Sequence, residues 1–157
     1  WCKNINFKLI IAGGIEFANS SYINKHDYLK IKGHQNISLL GHVNNMHKLY
    51  ESAYLVVLPS WREGLSRTLI ESAAMEKPII TTYVSGCKDV IDHGINGILV
   101  PKKDPKSLSL AIELLLRNPK FAQKLGLSAR KKVINEFQVN HVNNQTINTY
   151  KELLSGL

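Results

Sequence analysis

Two carboxylates, Glu63 and Glu71, are separated by seven residues and could bind the hydroxyl groups of one ligand. The apolar run just before them, residues 54–58 (YLVVL), predicts a buried parallel strand. Gly64 then predicts a turn, and apolar residues at helical spacing predict a helix over Thr68–Met75. A strand, a turn and a helix in this order place a ligand at the carboxyl end of a sheet.

The turn itself suits a phosphate group. If the helix begins near Ser66 or Arg67, Ser66 is a suitable N-cap residue, and the free amides of the first turn carry a partial positive charge of about half a unit. Arg67 adds a full charge. Glu71, one turn into the helix, can accept hydrogen bonds from two neighbouring hydroxyls, whereas Glu63 faces whatever lies beyond the phosphate. A ligand that carries a diol, a phosphate bridge and a second polyol fits this order of protein groups, and a nucleotide sugar is such a ligand.

The segment from Glu63 to Glu71 (EGLSRTLIE) resembles the E-x7-E motif of the retaining GT-B glycosyltransferases of the group 1 family. The resemblance extends from Phe7 to about Leu154 and matches the C-terminal, donor-binding half of such enzymes. The motif has Gly-Leu-Ser where Gly-Phe-Gly is commonest, and an arginine in place of a common apolar residue. This version is similar to a branch that acts on lipid-linked or polysaccharide acceptors in bacterial envelopes.

The resemblance implies a role for each polar position. Sugar contacts correspond to Glu63, Leu65 and Ser66, phosphate contacts to Arg67 and Thr68, and the ribose contact to Glu71. Two more segments follow predicted strands: a glycine pair beside the diphosphate and a residue against the nucleobase. The donor-binding residues that we predict are Gly13, Gly14, Val43, Glu63, Gly64, Leu65, Ser66, Arg67, Thr68, Leu69 and Glu71.

Catalysis is assigned to Glu63 and Arg67. Departure of a nucleoside diphosphate builds negative charge, which the helix N-terminus and Arg67 would stabilise in place of a metal ion. Glu63 would orient the sugar and is not expected to act as a nucleophile. The resemblance implies retention of the anomeric configuration and no bound metal. We therefore expect no cofactor, with a nucleotide sugar, in particular a UDP-sugar, as co-substrate.

The composition adds a basic surface. The formal net charge is +8 and the sequence pI is about 9.5, which favours acidic partners or simply a solvated basic surface. Cys2 and Cys87 form neither a disulfide framework nor a metal spacing, so a reducing, cytoplasmic setting is expected. Attraction to the anionic inner leaflet of a membrane is a further expectation. Its candidate residues are Lys102, Lys103, Arg130, Lys131 and Lys132.

Strands and helices alternate along the chain, and the last elements are helices. This order predicts an α/β fold, with a Rossmann-like parallel sheet that carries helices on both faces. Its strands include a buried one over Phe7–Ala12 that precedes the glycine pair, and another over Asn36–Leu40 that precedes Val43. A further buried strand is expected over Pro78–Thr82.

Local signals also predict three helices. One is expected over residues 22–31, one over Met46–Ser52 with Asn45 as its cap and Tyr50 on its apolar face, and one from Asp104-Pro105 to about Arg117. We expect one domain over residues 1–157, with the N-terminal acceptor domain absent. Such a segment alone would bind a donor but transfer no sugar.

Other function classes are weighed against this one. A nucleotide-sugar epimerase would share the fold, and a phosphorylase-like enzyme would need a pyridoxal lysine that no motif indicates. A nucleic-acid-binding module would need a basic stripe with stacking aromatics, and aromatics make up only 8% of the chain. A glycosidase also uses paired carboxylates, but the spacing of this pair fits a ribose better. Trp61 could stack on a base or a sugar, although packing is favoured.

Overall fold

The computed structural model describes residues 5–14 and 25–155, which divide into two compact units, the described parts of Lys3–Lys48 and of Leu49–Leu157. The strands and helices within them alternate as predicted up to the three final helices. In chain order they are β1 (Leu9–Ala12), α1 (Lys25–Lys32), β2 (Ile37–Gly41), α2 (Met46–Ser52), β3 (Val56–Leu58), α3 (Arg67–Ala74), β4 (Ile79–Thr82), α4 (Ser85–Lys88), β5 (Ile98–Val100), α5 (Pro105–Arg117), α6 (Pro119–Glu136) and α7 (Val139–Ser155).

In the first unit, β1 pairs with β2 in parallel, from Leu9 opposite Ile37 to Ala12 opposite Gly41. The prediction that Phe7–Ala12 forms a buried strand is wrong in its burial, because the β1 side chains up to Ile11 are between 37% and 42% exposed. Among the described residues β1 packs mainly on β2, and α1 packs on β2 as well. The helix expected over residues 22–31 is observed from Lys25, and residues 22–24 lie outside the described part of the chain.

In the second unit, β3, β4 and β5 form a parallel sheet with β4 in the middle. Val56 lies opposite Ile79, and Ile80 lies opposite Ile98. The central strand is buried along its whole length, as predicted for Pro78–Thr82. The expectation of a buried strand before the motif holds only in part, because β3 forms one edge of this described sheet and is half-buried.

Helices cover both faces of this sheet, which confirms the predicted α/β architecture. Consecutive residues of β4 point to opposite faces. Ile79 packs with Leu69, Val90, Ala129 and Val133 in one core cluster. The following residue, on the other face, belongs to a second cluster, whose members are Ile80, Ile98, Val100, Ala111, Leu115, Ala122 and Leu125. The side chains of α3 therefore anchor it to the first of these clusters.

The helix boundaries follow local sequence signals. Asn45 Oδ1 accepts a hydrogen bond from the Lys48 amide at 3.3 Å, so Asn45 caps α2 as predicted. Asp104 caps α5 by accepting from the Ser107 amide at 3.0 Å, with Pro105 at the first helical position. None of the described helices is long and apolar enough to cross a membrane. The prediction of one domain over residues 1–157 stays a prediction.

Candidate functional site

The segment that carries the two carboxylates runs from the carboxyl end of β3 into α3. Ser66 has extended backbone angles, and Arg67 is the first helical residue, so the helix begins where the sequence predicted. The first intrahelical bond joins the Ile70 amide to the Ser66 carbonyl. The amides of residues 67–69 therefore have no acceptor in the preceding turn of this helix, which gives its N-terminus a partial positive charge.

The side chain of Ser66 does not cap the helix. It is 2% exposed, and its Oγ has no hydrogen-bond partner among the described residues. Ser66 thus occupies the predicted N-cap position, but the capping hydrogen bond that usually stabilises this position is missing.

Arg67 and Glu71 form an ion pair across the first turn of α3. Arg67 Nη2 lies 3.3 Å from Glu71 Oε1, and the two side chains are 90% and 44% exposed. A pair this exposed contributes little stability. Its consequence is local: a cation and a carboxylate lie together on the helix end whose free amides favour an anion.

Tyr50 of α2 is an additional residue next to this helix end. It is 4% exposed, and its side chain interacts with Thr68 and is near the charge of Glu71. Burial raises the pKa of the Tyr50 hydroxyl, the Thr68 hydrogen bond opposes this rise, and the negative charge of Glu71 adds to it. The sequence placed Tyr50 only on the apolar face of α2. The sequence signal that could have identified Tyr50 was its hydroxyl group, which needs a hydrogen-bond partner when the ring is buried.

The loop between β3 and α3 is held by hydroxyls at the end of β4. Thr81 Oγ1 donates to the Leu58 carbonyl at 2.8 Å, and Thr82 Oγ1 donates to the Ser60 carbonyl. Cys87, which follows on α4, is fully buried with its Sγ 3.0 Å from Thr81 Oγ1. The carboxyl ends of neighbouring strands therefore fix the start of the loop that leads to Glu63.

Glu63, Gly64 and Leu65 lie at the end of this loop. Glu63 is half-buried, and within the described residues its carboxylate has no ion pair, whereas Gly64 and Leu65 are exposed. Thr68 is half-buried, but the Leu69 side chain is fully buried in the core. A donor could therefore meet only the backbone of Leu69. The donor-binding and catalytic roles of all these residues stay predictions.

Gly13, Gly14 and Val43 belong to the first unit, whereas residues 63–71 belong to the second. The Gly13 amide donates to the Gly41 carbonyl at 2.8 Å, which joins the carboxyl ends of β1 and β2. Gly13 has φ +137°, a conformation that glycine adopts far more readily than other residues. Val43 follows Gly41 by two residues and is half-buried. The structure thus brings the glycine pair and the segment before Val43 together at one edge of their sheet.

Trp61 lines a groove beside the loop. The groove has a volume of about 440 Å³ and opens between the carboxyl ends of the strands and the start of α5. Trp61 is 55% exposed, and Lys103 Nζ lies 4.5 Å from the centre of its ring. Trp61 thus packs with only part of its side chain, and both the packing role and stacking on a ligand stay predictions.

No group of three or more His, Cys, Asp or Glu residues that could hold a metal ion occurs in the described ranges. Among the residues described above, the groups that could act on a ligand are the N-terminus of α3, the Arg67 guanidinium and the Glu63 and Glu71 carboxylates. Independence from metal and cofactor stays a prediction.

Residues 2–118 match the family described as Glycosyl transferases group 1. The capsular polysaccharide biosynthesis glycosyltransferase CapM of Staphylococcus aureus is 36% identical over 135 residues, which are 86% of this chain and 35% of that protein. An alpha-1,4-N-acetyl-D-galactosaminyltransferase of Campylobacter jejuni, whose name specifies a PP-undecaprenol-linked saccharide, is 32% identical over 154 residues, 96% of this chain and 41% of that protein.

Among solved structures, HepE of Anabaena in complex with UDP matches with a TM-score of 0.85 and 22% identity. The match covers 96% of this chain and 41% of that one, and it shows the fold. The chain thus spans between about a third and two fifths of the length of these proteins.

Proposed function

The chain belongs to the group 1 glycosyltransferases, and from this premise we propose that it binds the nucleotide-sugar donor of an enzyme that transfers the sugar, with retention, to a glycan or lipid-linked acceptor. The observation that carries the proposal is the N-terminus of α3, where Arg67 Nη2 and Glu71 Oε1 lie 3.3 Å apart beside amides that have no acceptor within the helix. One helix end thus offers donors for a diphosphate and an acceptor for a diol.

Each group has a distinct task in the proposed reaction. The helix N-terminus and Arg67 stabilise the negative charge that develops on the departing diphosphate. Glu71 accepts hydrogen bonds from the ribose hydroxyls. Glu63 accepts hydrogen bonds from the sugar and fixes its orientation, because its carboxylate has no competing cation within the described residues.

We propose a UDP-sugar as the donor and an envelope saccharide, free or lipid-linked, as the acceptor. The complex of HepE with UDP supports the nucleotide. The names of the Staphylococcus and Campylobacter relatives support the acceptor class, since they specify capsular polysaccharide biosynthesis and a PP-undecaprenol-linked saccharide.

Calorimetric titration with UDP, GDP and ADP and with the corresponding sugar nucleotides tests the donor proposal. We expect the wild-type chain to bind UDP and a UDP-sugar, and Arg67→Ala to weaken both. A wild-type chain that binds none of the panel would overturn the proposal.

We also propose a cytoplasmic location with peripheral contact to an anionic membrane through Lys102, Lys103 and Lys131. Arg130 and Lys132 leave this set because oxygen acceptors of the protein bind them, whereas Lys103 lies over the Trp61 ring but remains exposed. Arg130 Nη1 donates to the Ala74 carbonyl at 2.8 Å, and Lys132 Nζ lies 2.9 Å from Asp92 Oδ2. Each of the three remaining lysines favours binding to anionic lipid by about 1 kcal/mol, and this attraction is screened beyond about 8 Å at physiological salt.

Sedimentation with vesicles measures this attraction. We expect binding to vesicles of anionic lipid at low salt, release as salt rises, and none to neutral vesicles. If the chain binds neither anionic nor neutral vesicles at low ionic strength, the membrane proposal is wrong and the basic surface serves only solubility.

A further inference from the structure

We propose that Gly86 is a positioning residue for the loop that carries Glu63, a role that rests on the proposed donor site. Gly86 lies in α4 and is buried against the backbone of that loop. A Cβ on Gly86 would overlap the Gly64 carbonyl oxygen and lie 2.7 Å from the Glu63 carbonyl oxygen. Real Cβ atoms essentially never approach another heavy atom within 3.0 Å. Because both neighbours are backbone atoms, a side chain at position 86 must displace the loop.

The same loop is bound upstream by the residues that lead into α4. Thr81 holds the Leu58 carbonyl and Thr82 holds the Ser60 carbonyl. Together with Gly86, these contacts fix the beginning, the middle and the end of the loop to one short segment. The direction in which Glu63 leaves the backbone is therefore set by residues 81–86.

The rest of the candidate site is anchored differently. Arg67 and Glu71 lie on α3, which is held in the core by Leu69 and Ala73. A shift of the loop at Gly64 should thus move Glu63 while the helix end keeps its place. Since Glu63 is proposed to hold the sugar and α3 the nucleotide, Gly86 should affect the sugar selectively.

Gly126 of α6 offers a matched control. A Cβ there would overlap the Glu76 carbonyl oxygen and lie 2.9 Å from the carbonyl carbon, so the overlap with backbone is of the same kind. Glu76, however, follows the C-terminal end of α3, away from Glu63. Gly126→Ala should perturb stability as Gly86→Ala does, without a selective effect on the sugar.

Calorimetry on the wild type, Gly86→Ala and Gly126→Ala compares the Kd of UDP with that of a UDP-sugar. For Gly86→Ala we expect the Kd of the UDP-sugar to rise by about tenfold more than the Kd of UDP, the effect of losing one hydrogen bond to a charged group. Gly126→Ala should change both Kd values by the same factor. A proportional change in Gly86→Ala as well would overturn the proposal.

A second measurement separates this proposal from the donor proposal. Trp61 lies in the loop, and in a Trp1→Phe background its fluorescence quenching by acrylamide reports the loop without any ligand. Gly86→Ala should change the quenching and Gly126→Ala should not. If the wild type binds no nucleotide, the donor proposal fails, and unchanged Trp61 quenching in Gly86→Ala would independently refute the positioning role.

Thr82→Val serves if Gly86→Ala does not fold. It removes the hydrogen bond to the Ser60 carbonyl with little change in volume, and it leaves Gly86 in place. The same selective loss of the UDP-sugar is expected, in smaller measure. Equal weakening of UDP and the UDP-sugar in this variant would count against positioning by residues 81–86.

Discussion

Replacing Glu71 with alanine should weaken nucleotide binding strongly while leaving the fold nearly unchanged. The variant removes the carboxylate that we propose to accept hydrogen bonds from the ribose hydroxyls. A hydrogen bond to a charged group contributes about 1.5–3 kcal/mol. The Kd of UDP should therefore rise by about 10- to 150-fold.

The cost in stability should be much smaller. The only ion pair of Glu71 within the described residues is with Arg67, and both side chains are substantially exposed, at 44% and 90%. Such an i, i+4 pair on a helix surface contributes about 0.3–0.5 kcal/mol. Alanine has a slightly higher helix propensity than glutamate, which offsets part of this loss. We expect the free energy of unfolding to change by less than about 0.5 kcal/mol.

Glu113→Ala is the matched control for this experiment. Glu113 Oε1 lies 2.7 Å from Arg117 Nε, also at i, i+4 on a helix surface, but on α5. Titration calorimetry with UDP and thermal unfolding followed by circular dichroism should be run on both variants. We expect both to lose a similar, small stability and only Glu71→Ala to lose affinity.

The coupling between Arg67 and Glu71 refines this expectation. Removing Glu71 also frees Arg67 to approach a phosphate, so the single variant underestimates the ribose contribution. A double-mutant cycle with Arg67→Ala measures that coupling. A Kd of UDP that stays within about twofold in Glu71→Ala, far below the loss of one charged hydrogen bond, would refute the ribose assignment. Loss of the circular dichroism signal would instead make Glu71 structural.

Three further predictions follow from single features. Ser66→Ala should change the free energy of unfolding by less than about 0.5 kcal/mol, because Ser66 makes no capping bond. An N-cap serine usually contributes roughly 1 kcal/mol, so a loss of that size in thermal unfolding would contradict the structure. Asp104→Ala should lower the Tm at pH 7, with Asp104→Asn as the capping control. The hydrogen bonds from Ser107 hold the pKa of Asp104 below its usual range. The stabilisation by Asp104 is therefore fully present above the ordinary carboxyl pKa and is lost as the pH falls through the lowered pKa of Asp104. A Tm difference between the wild type and Asp104→Ala that persists in acid would be inconsistent with this. Finally, the 157-residue chain alone should bind a UDP-sugar but transfer no sugar to saccharide acceptors, so that a coupled assay detects no release of UDP. Robust transfer would disprove this.

Periodic and capping signals in the sequence were sufficient to predict most of the second unit. A buried strand over Pro78–Thr82 and the start of α5 at Asp104-Pro105 were both predicted, because the signals for them act within a few residues. The start of α3 was also predictable. The missing capping bond of Ser66 was not, because burial of its side chain depends on distant neighbours.

Contacts between distant segments account for the remaining differences. Composition suggested that Arg130 and Lys132 form a free basic surface, but a carbonyl and a carboxylate from other segments bind them. The exposed β1 resembles a core strand in sequence, since periodicity reports apolar character and not the neighbours that cover it. Gly86 carries no motif of its own, and its importance depends on a carbonyl 22 residues earlier in the chain.

Because Cys87 is buried, its rate of modification by a thiol reagent measures how often α4 opens. Cys87 is fully buried beside Thr81, so a thiol reagent can alkylate it only when this segment opens. In a Cys2→Ser background, Cys87 is the single thiol of the chain, and its modification rate measures the opening free energy of the segment directly. Because Cys87 is adjacent to Gly86, the modification rates with and without a sugar nucleotide show how strongly ligand binding suppresses the opening of α4.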